Sequence, residues 1–146
     1  MRLQLALNVD DLNTAIDFYT KLFGVAPAKV KPGYANWAIE SPPLKLVIFE
    51  GAGGHGTINH LGVETDTADE VVAADRRLRA AGLKTTGIDE TQCCFAEKTE
   101  TWVDGADGHK WEFYVKHGDV EQFVNVSLGR NLLGGASDGG NACCPS

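Results

Sequence analysis

The 146-residue chain has no surplus of basic residues, no long apolar run and only one methionine. Thirteen Lys+Arg against twenty Asp+Glu leave a net charge of -7, and no basic run could track a phosphate backbone. No nucleic-acid partner is expected. The longest apolar stretches, such as residues 44–49, fall far short of the ~20 residues that a bilayer-spanning helix needs. No membrane partner is expected either. Residues 1–5 run straight into an alternating pattern, without the apolar segment of a secretory leader, so the expected location is the cytoplasm. Cysteine is scarce too: two adjacent pairs, Cys93-Cys94 and Cys143-Cys144, do not form a disulfide framework. In a cytoplasmic chain they are expected to be reduced, as core residues, nucleophiles or ligands.

What is present suits a folded protein, with 43% hydrophobic and 23% charged residues. Leu3, Leu5, Leu7 and Val9 alternate with Gln4, Ala6 and Asn8, the period of a strand with one apolar face. Asp10 and Asp11 then cap a segment in which Leu12, Ala15, Ile16, Tyr19, Leu22 and Phe23 recur at helical spacing until Gly24. Prolines and glycines punctuate three extended segments, of which 34–40 and 44–50 are the clearest. After a Gly-rich connector, residues 60–65 resemble the opening strand. Thr67 and Glu70 form a capping box before Val71, Val72, Ala74, Leu78 and Ala81, and Gly82 stops this second helix. Extended segments follow at 83–88, 93–99, 101–104 and 109–115.

The pattern is thus βαβββ twice, offset by 56 residues from Gln4 to His60. The expected fold class is α+β: one domain over 1–117 made of modules at about 1–52 and 57–117, then a flexible Cys-containing tail at 118–146.

Strand parity selects candidate functional residues, because side chains two apart share a face. With Leu3, Leu5, Leu7 and Val9 packed on a helix, Gln4 faces the concave side of the sheet. Leu61 and Val63 likewise leave His60 there, and Trp111, Phe113 and Val115 leave Glu112 there. Gln4, His60 and Glu112 offer oxygen, nitrogen and oxygen donors, a mixture suited to a six-coordinate divalent ion such as Fe(II), Mn(II) or Ni(II) with about three open positions. The bland alternative is that each is merely a hydrogen-bonded or solvated strand residue. His55, His109 and His117 are set aside, Lys110 and Tyr114 are read as an ion pair or cavity wall, and Glu97 and Glu100 are read as solvating a hairpin. Cys93 and Cys94 resist closing on each other and could share one soft centre; a trivalent arsenical with one organic group has two valences for two sulfurs. Their bland alternative is one core cysteine beside an idle surface thiol.

The chain resembles the vicinal-oxygen-chelate superfamily of glyoxalases and extradiol dioxygenases over residues 3 to 115. The resemblance is carried by Gln4 to Leu12, by Asn59-His60-Leu61-Gly62-Val63 and by Lys110-Trp111-Glu112-Phe113-Tyr114. More narrowly, Lys31-Pro32-Gly33-Tyr34-Ala35-Asn36 and Cys93-Cys94-Phe95-Ala96 make it similar to the organoarsenical carbon-arsenic lyases and the cadmium-induced proteins. The resemblance implies two βαβββ modules forming a half-barrel around a metal held by Gln4, His60 and Glu112, with trivalent arsenic on Cys93 and Cys94. It implies an Fe(II)-dependent dioxygenase, with O2 as co-substrate, that releases arsenite from methylarsenite or aromatic arsenicals; Ni, Co or Mn could substitute for iron. Cys143 and Cys144 are candidate accessory thiols, and the expected assembly is a monomer or homodimer. The competing expectation is a non-catalytic protein that binds cadmium or arsenite.

Overall fold

The opening alternation becomes β1 (Arg2–Val9), and Asp11 then caps α1 (Leu12–Phe23) by accepting a hydrogen bond from the Thr14 amide. Gly24 closes the helix at φ 66°, a left-handed conformation that a glycine adopts without steric cost. The structure, a computed structural model, describes residues 1–41, 43–51, 54, 56–106 and 109–128. The first module continues through β2 (Lys29–Lys31), β3 (Tyr34–Ile39) and β4 (Leu44–Glu50). The second repeats it: β5 (Ile58–Glu64), α2 (Ala68–Ala80), β6 (Asp89–Cys93), β7 (Ala96–Asp104) and β8 (Lys110–Asp119). The Thr67/Glu70 capping box starts α2 as expected. A short β9 (Val126–Ser127) completes a nine-stranded sheet of order β2-β3-β4-β1-β5-β8-β7-β6-β9.

The modules meet where β1 and β5 pair antiparallel, with Leu5 opposite Leu61, and each opening strand has the last strand of its module parallel on its other side. On the outer face α1 covers Trp37, Ile39, Leu46 and Ile48, with Leu5, Leu7 and Val9 packed against them. On the inner face Tyr34, Val47, Phe49, Cys93 and Phe95 form a second apolar cluster. That cluster draws the β6–β7 tip over the first module. Lys29 to Asp119 and Lys31 to Glu121 clasp the same seam, so the sheet curls into a half-barrel.

Three expectations change. Residues 83–88 contribute only an isolated bridge, Thr85 to Val103, before β6 begins at Asp89. Cys93 ends a strand rather than starting one, because Cys94 and Phe95, at φ 52° and 62°, make a two-residue turn in which Cys93 pairs with Ala96. Left-handed turns of this kind usually carry Asn or Gly, so nothing in the residue types marks it. β8 runs to Asp119 and β9 pairs with β6, so the chain is in the sheet beyond residue 117. Cys143, Cys144 and His55 lie outside the described residues. No helix among those described is long and apolar enough to cross a membrane.

Candidate functional site

The curl brings Gln4 of β1, His60 of β5 and Glu112 of β8 to one buried cavity, each at most 5% exposed. Gln4 Nε2 donates to His60 Nε2 at 2.8 Å and to Glu112 Oε2 at 3.1 Å, and His60 Nε2 lies 3.5 Å from that oxygen. The three thus lie on one face of the curled sheet, the face that strand parity assigns them. Among the described residues no three His, Cys, Asp or Glu side chains group at metal distance; the set reaches three donors only through the Gln4 amide.

The neighbours of the trio explain its orientation. His60 Nδ1 is 2.7 Å from Asn59 Oδ1, which can only accept, so the ring proton sits on Nδ1 and the Nε2 lone pair faces the cavity. Asn59 is held in turn: its Nδ2 donates to Asn8 Oδ1, and Asn8 Nδ2 donates to Thr57 Oγ1, both at 2.9 Å. Tyr114, read as cavity wall, donates its hydroxyl to Gln4 Oε1 at 2.5 Å. Gly62 lets β5 and β8 come together, because a Cβ there would stand 2.9 Å from the Glu112 carbonyl oxygen.

Sequence reasoning missed Lys98. Its Nζ, fully enclosed, donates to Glu112 Oε1 at 2.5 Å and lies 2.9 Å from Glu100 Oε2. Glu100 is thus buried rather than solvating a hairpin, and Trp102 Nε1 donates to its other oxygen. Cross-strand register, Glu100 opposite Tyr114, puts the acid inside. Burial pushes the Glu100 carboxyl above its ordinary range. It would do the same to Glu112, but the Lys98 ammonium outweighs it and holds Glu112 well below that range. Glu112 is therefore an anion at neutral pH. Lys110, by contrast, is exposed and pairs with Asp104.

Cys93 and Cys94 line the same cavity. The left-handed turn sets their sulfurs 3.1 Å apart, with the Cys94 amide donating to Phe123 O and the Phe95 amide to Gln122 O. A disulfide needs about 2.05 Å between sulfurs, so the two are not bonded to each other.

Residues 3–113 match the model of the Glyoxalase/Bleomycin resistance protein/Dioxygenase superfamily. The chain is 53% identical over 126 residues to a trivalent organoarsenical cleaving enzyme of Thermomonospora curvata, covering 86% of this chain and 83% of that one. It is 54% identical over 122 residues to the cadmium-induced protein CadI of Mycobacterium bovis, covering 84% and 80%. Among solved structures it is similar to a homoprotocatechuate 2,3-dioxygenase variant from B. fuscum, at TM-score 0.60 and 18% identity, over 82% of this chain and 33% of that one. At that identity the likeness is one of fold.

Proposed function

The chain belongs to the glyoxalase/bleomycin resistance protein/dioxygenase superfamily, and from that premise we propose that it cleaves the carbon-arsenic bond of trivalent organoarsenicals with Fe(II) and O2. The carrying observation is that Gln4, His60 and Glu112 share one cavity with the Cys93/Cys94 sulfurs. Relatives named for organoarsenical cleavage support the choice of substrate.

The donors fit a divalent ion. His60 presents a lone pair fixed by Asn59, and Glu112 is ionised with Oε1 occupied by Lys98, leaving Oε2 for the ion. Turning the Gln4 amide over brings Oε1 beside them and leaves its NH2 to the Tyr114 hydroxyl, which accepts as readily as it donates. Bound there, Fe(II) would supply activation of O2 toward the carbon-arsenic bond. The chain's own contribution is orientation: once reduced, Cys93 and Cys94 hold arsenic by its two free valences and turn the carbon substituent toward the trio. Phe49 and Trp102, ringed around His60 at 6.3 and 5.2 Å between centroids, keep water scarce. For methylarsenite the atoms balance with one O2 consumed and one arsenite and one formaldehyde released.

The test is anaerobic loading of the reduced protein with Fe(II), addition of methylarsenite and air, and separation of arsenic species over time. Arsenite should appear, and only with Fe(II), O2 and intact cysteines. Methylarsenite that stays bound and unchanged would overturn the reading in favour of a thiophile sink.

A further inference from the structure

Half of the chain's eight lysines, Lys29, Lys45, Lys98 and Lys116, line this one cavity, in a protein of net charge -7. Their charges are unequally matched. Lys98 is engaged by Glu100 and Glu112. Lys29 and Lys116 share a single carboxylate, that of Asp119. Lys45, opposite Gln4 in the β1–β4 register, has no carboxylate at ion-pair distance among the described residues. Four ammonium groups therefore meet three carboxylates, and a divalent ion at the trio would add two more positive charges.

Burial first, then the charges of Arg2, Lys116 and Lys29, holds the Lys45 ammonium below the ordinary lysine value, against the pull of Glu64. A half-buried cation facing like charges gains most from a ligand anion. Its repeat counterpart shows the other solution. One register step places Lys110 beside His60 as Lys45 lies beside Gln4, yet Lys110 is exposed and neutralised by Asp104.

We propose that Lys45, with Lys29 and Lys116 beside it, is an anion subsite, and that the arsenicals this cavity prefers carry a carboxylate or similar anionic group on their organic substituent. The inference rests on the reading that Cys93 and Cys94 hold the arsenic. A ligand anchored at the sulfurs extends its substituent across the cavity, where the lysine wall distinguishes a charged end from an apolar one. A methyl or plain phenyl substituent leaves Lys45 unmatched.

The experiment compares a trivalent phenylarsenical with its 4-carboxyphenyl analogue on the reduced full chain. Binding is followed by tryptophan fluorescence, since Trp102 packs on His60. The carboxylate should bind about tenfold tighter, as expected for a charge-assisted contact. Lys45→Met should bring that ratio to about one, Lys45→Arg should keep it, and Lys116→Met should lower it partway. Equal affinity for both compounds in the native protein, or a ratio unmoved by Lys45→Met and Lys116→Met, overturns the subsite while leaving arsenical capture intact. Failure of both compounds to bind in a Cys93- and Cys94-dependent way overturns the capture reading and the subsite with it.

Discussion

The two modules share one βαβββ plan but divide the labour. The first packs α1 against Trp37, Ile39, Leu46 and Ile48, all at most 2% exposed. The second has a smaller buried apolar cluster, Val71 of α2 with Ile88 and Val115, beside a buried Leu78, and it buries Asp75 among hydroxyls, accepting from Thr85 and Thr101. The inner face reverses the balance. Ala6 pairs with Val47 in the first module as Gly62 pairs with Glu112 in the second, so register makes Val47 the counterpart of Glu112. At this position one copy keeps an apolar group where the other carries a charge. A duplicated unit can thus carry the larger apolar core in one half and most of the site's reactive groups, His60, Glu112, Cys93 and Cys94, in the other.

The largest test breaks the first half. Trp37→Ala should cost about 3–5 kcal/mol in urea unfolding, whereas Val71→Ala in α2 should cost about 2 kcal/mol. Equal losses would mean that the two cores contribute alike. Next comes the charge of the second half. Lys98→Met strands Glu100 and Glu112 together in the interior and should cost about 3 kcal/mol at pH 7, with part recovered by adding Glu100→Gln. A Lys98→Met variant with unchanged midpoint would show the network to be wet and weak.

A reciprocal exchange sharpens the comparison at a single position. Gly62→Ala drives a Cβ against the Glu112 backbone and should cost about 1–3 kcal/mol, loosening divalent-ion binding as well. Ala6→Gly at the counterpart position should cost only about 0.5–1 kcal/mol. Calorimetric titration with Mn(II), alongside urea midpoints, reads both effects. Similar ion affinity in Gly62→Ala and the native chain would separate the close approach of β5 and β8 from the site.

Period-two alternation carried a good deal of this in advance. Gln4, His60 and Glu112 could be placed on one face because each lies in a strand whose other parity is apolar, and a curled sheet keeps that parity. Lys98, Glu100 and Asn59 were not legible in the same way. Lys98 and Glu100 sit in a strand rich in threonine and charge, where alternation has no apolar face to register, and only pairing with β8 shows which parity is inside. Asn59 depends on a contact to its own neighbour and a chain running on to Thr57, which no spacing encodes. The Cys94-Phe95 turn was hidden because its backbone sign is set by tertiary contacts, the amides of both residues donating to carbonyls near residue 122, rather than by glycine.

The smallest expected effect lies at the seam between the two halves. Asp119, at the end of β8, accepts from Lys29 of β2 and Lys116, and these hydrogen bonds lower its pKa to about 2. A carboxyl whose folded value is depressed stabilises the fold at pH above its unfolded value near 3.9, and that contribution fades as pH falls from there through about 2. Because Asp119 is exposed, screening leaves the pair worth less than about 1 kcal/mol. Asp119→Asn should therefore shift the urea midpoint slightly at pH 7, less at high salt and least at pH 2. A difference as large at pH 2 as at pH 7 would assign the effect to packing at the seam rather than to charge. It would also make the clasp between modules as apolar in origin as the first module itself.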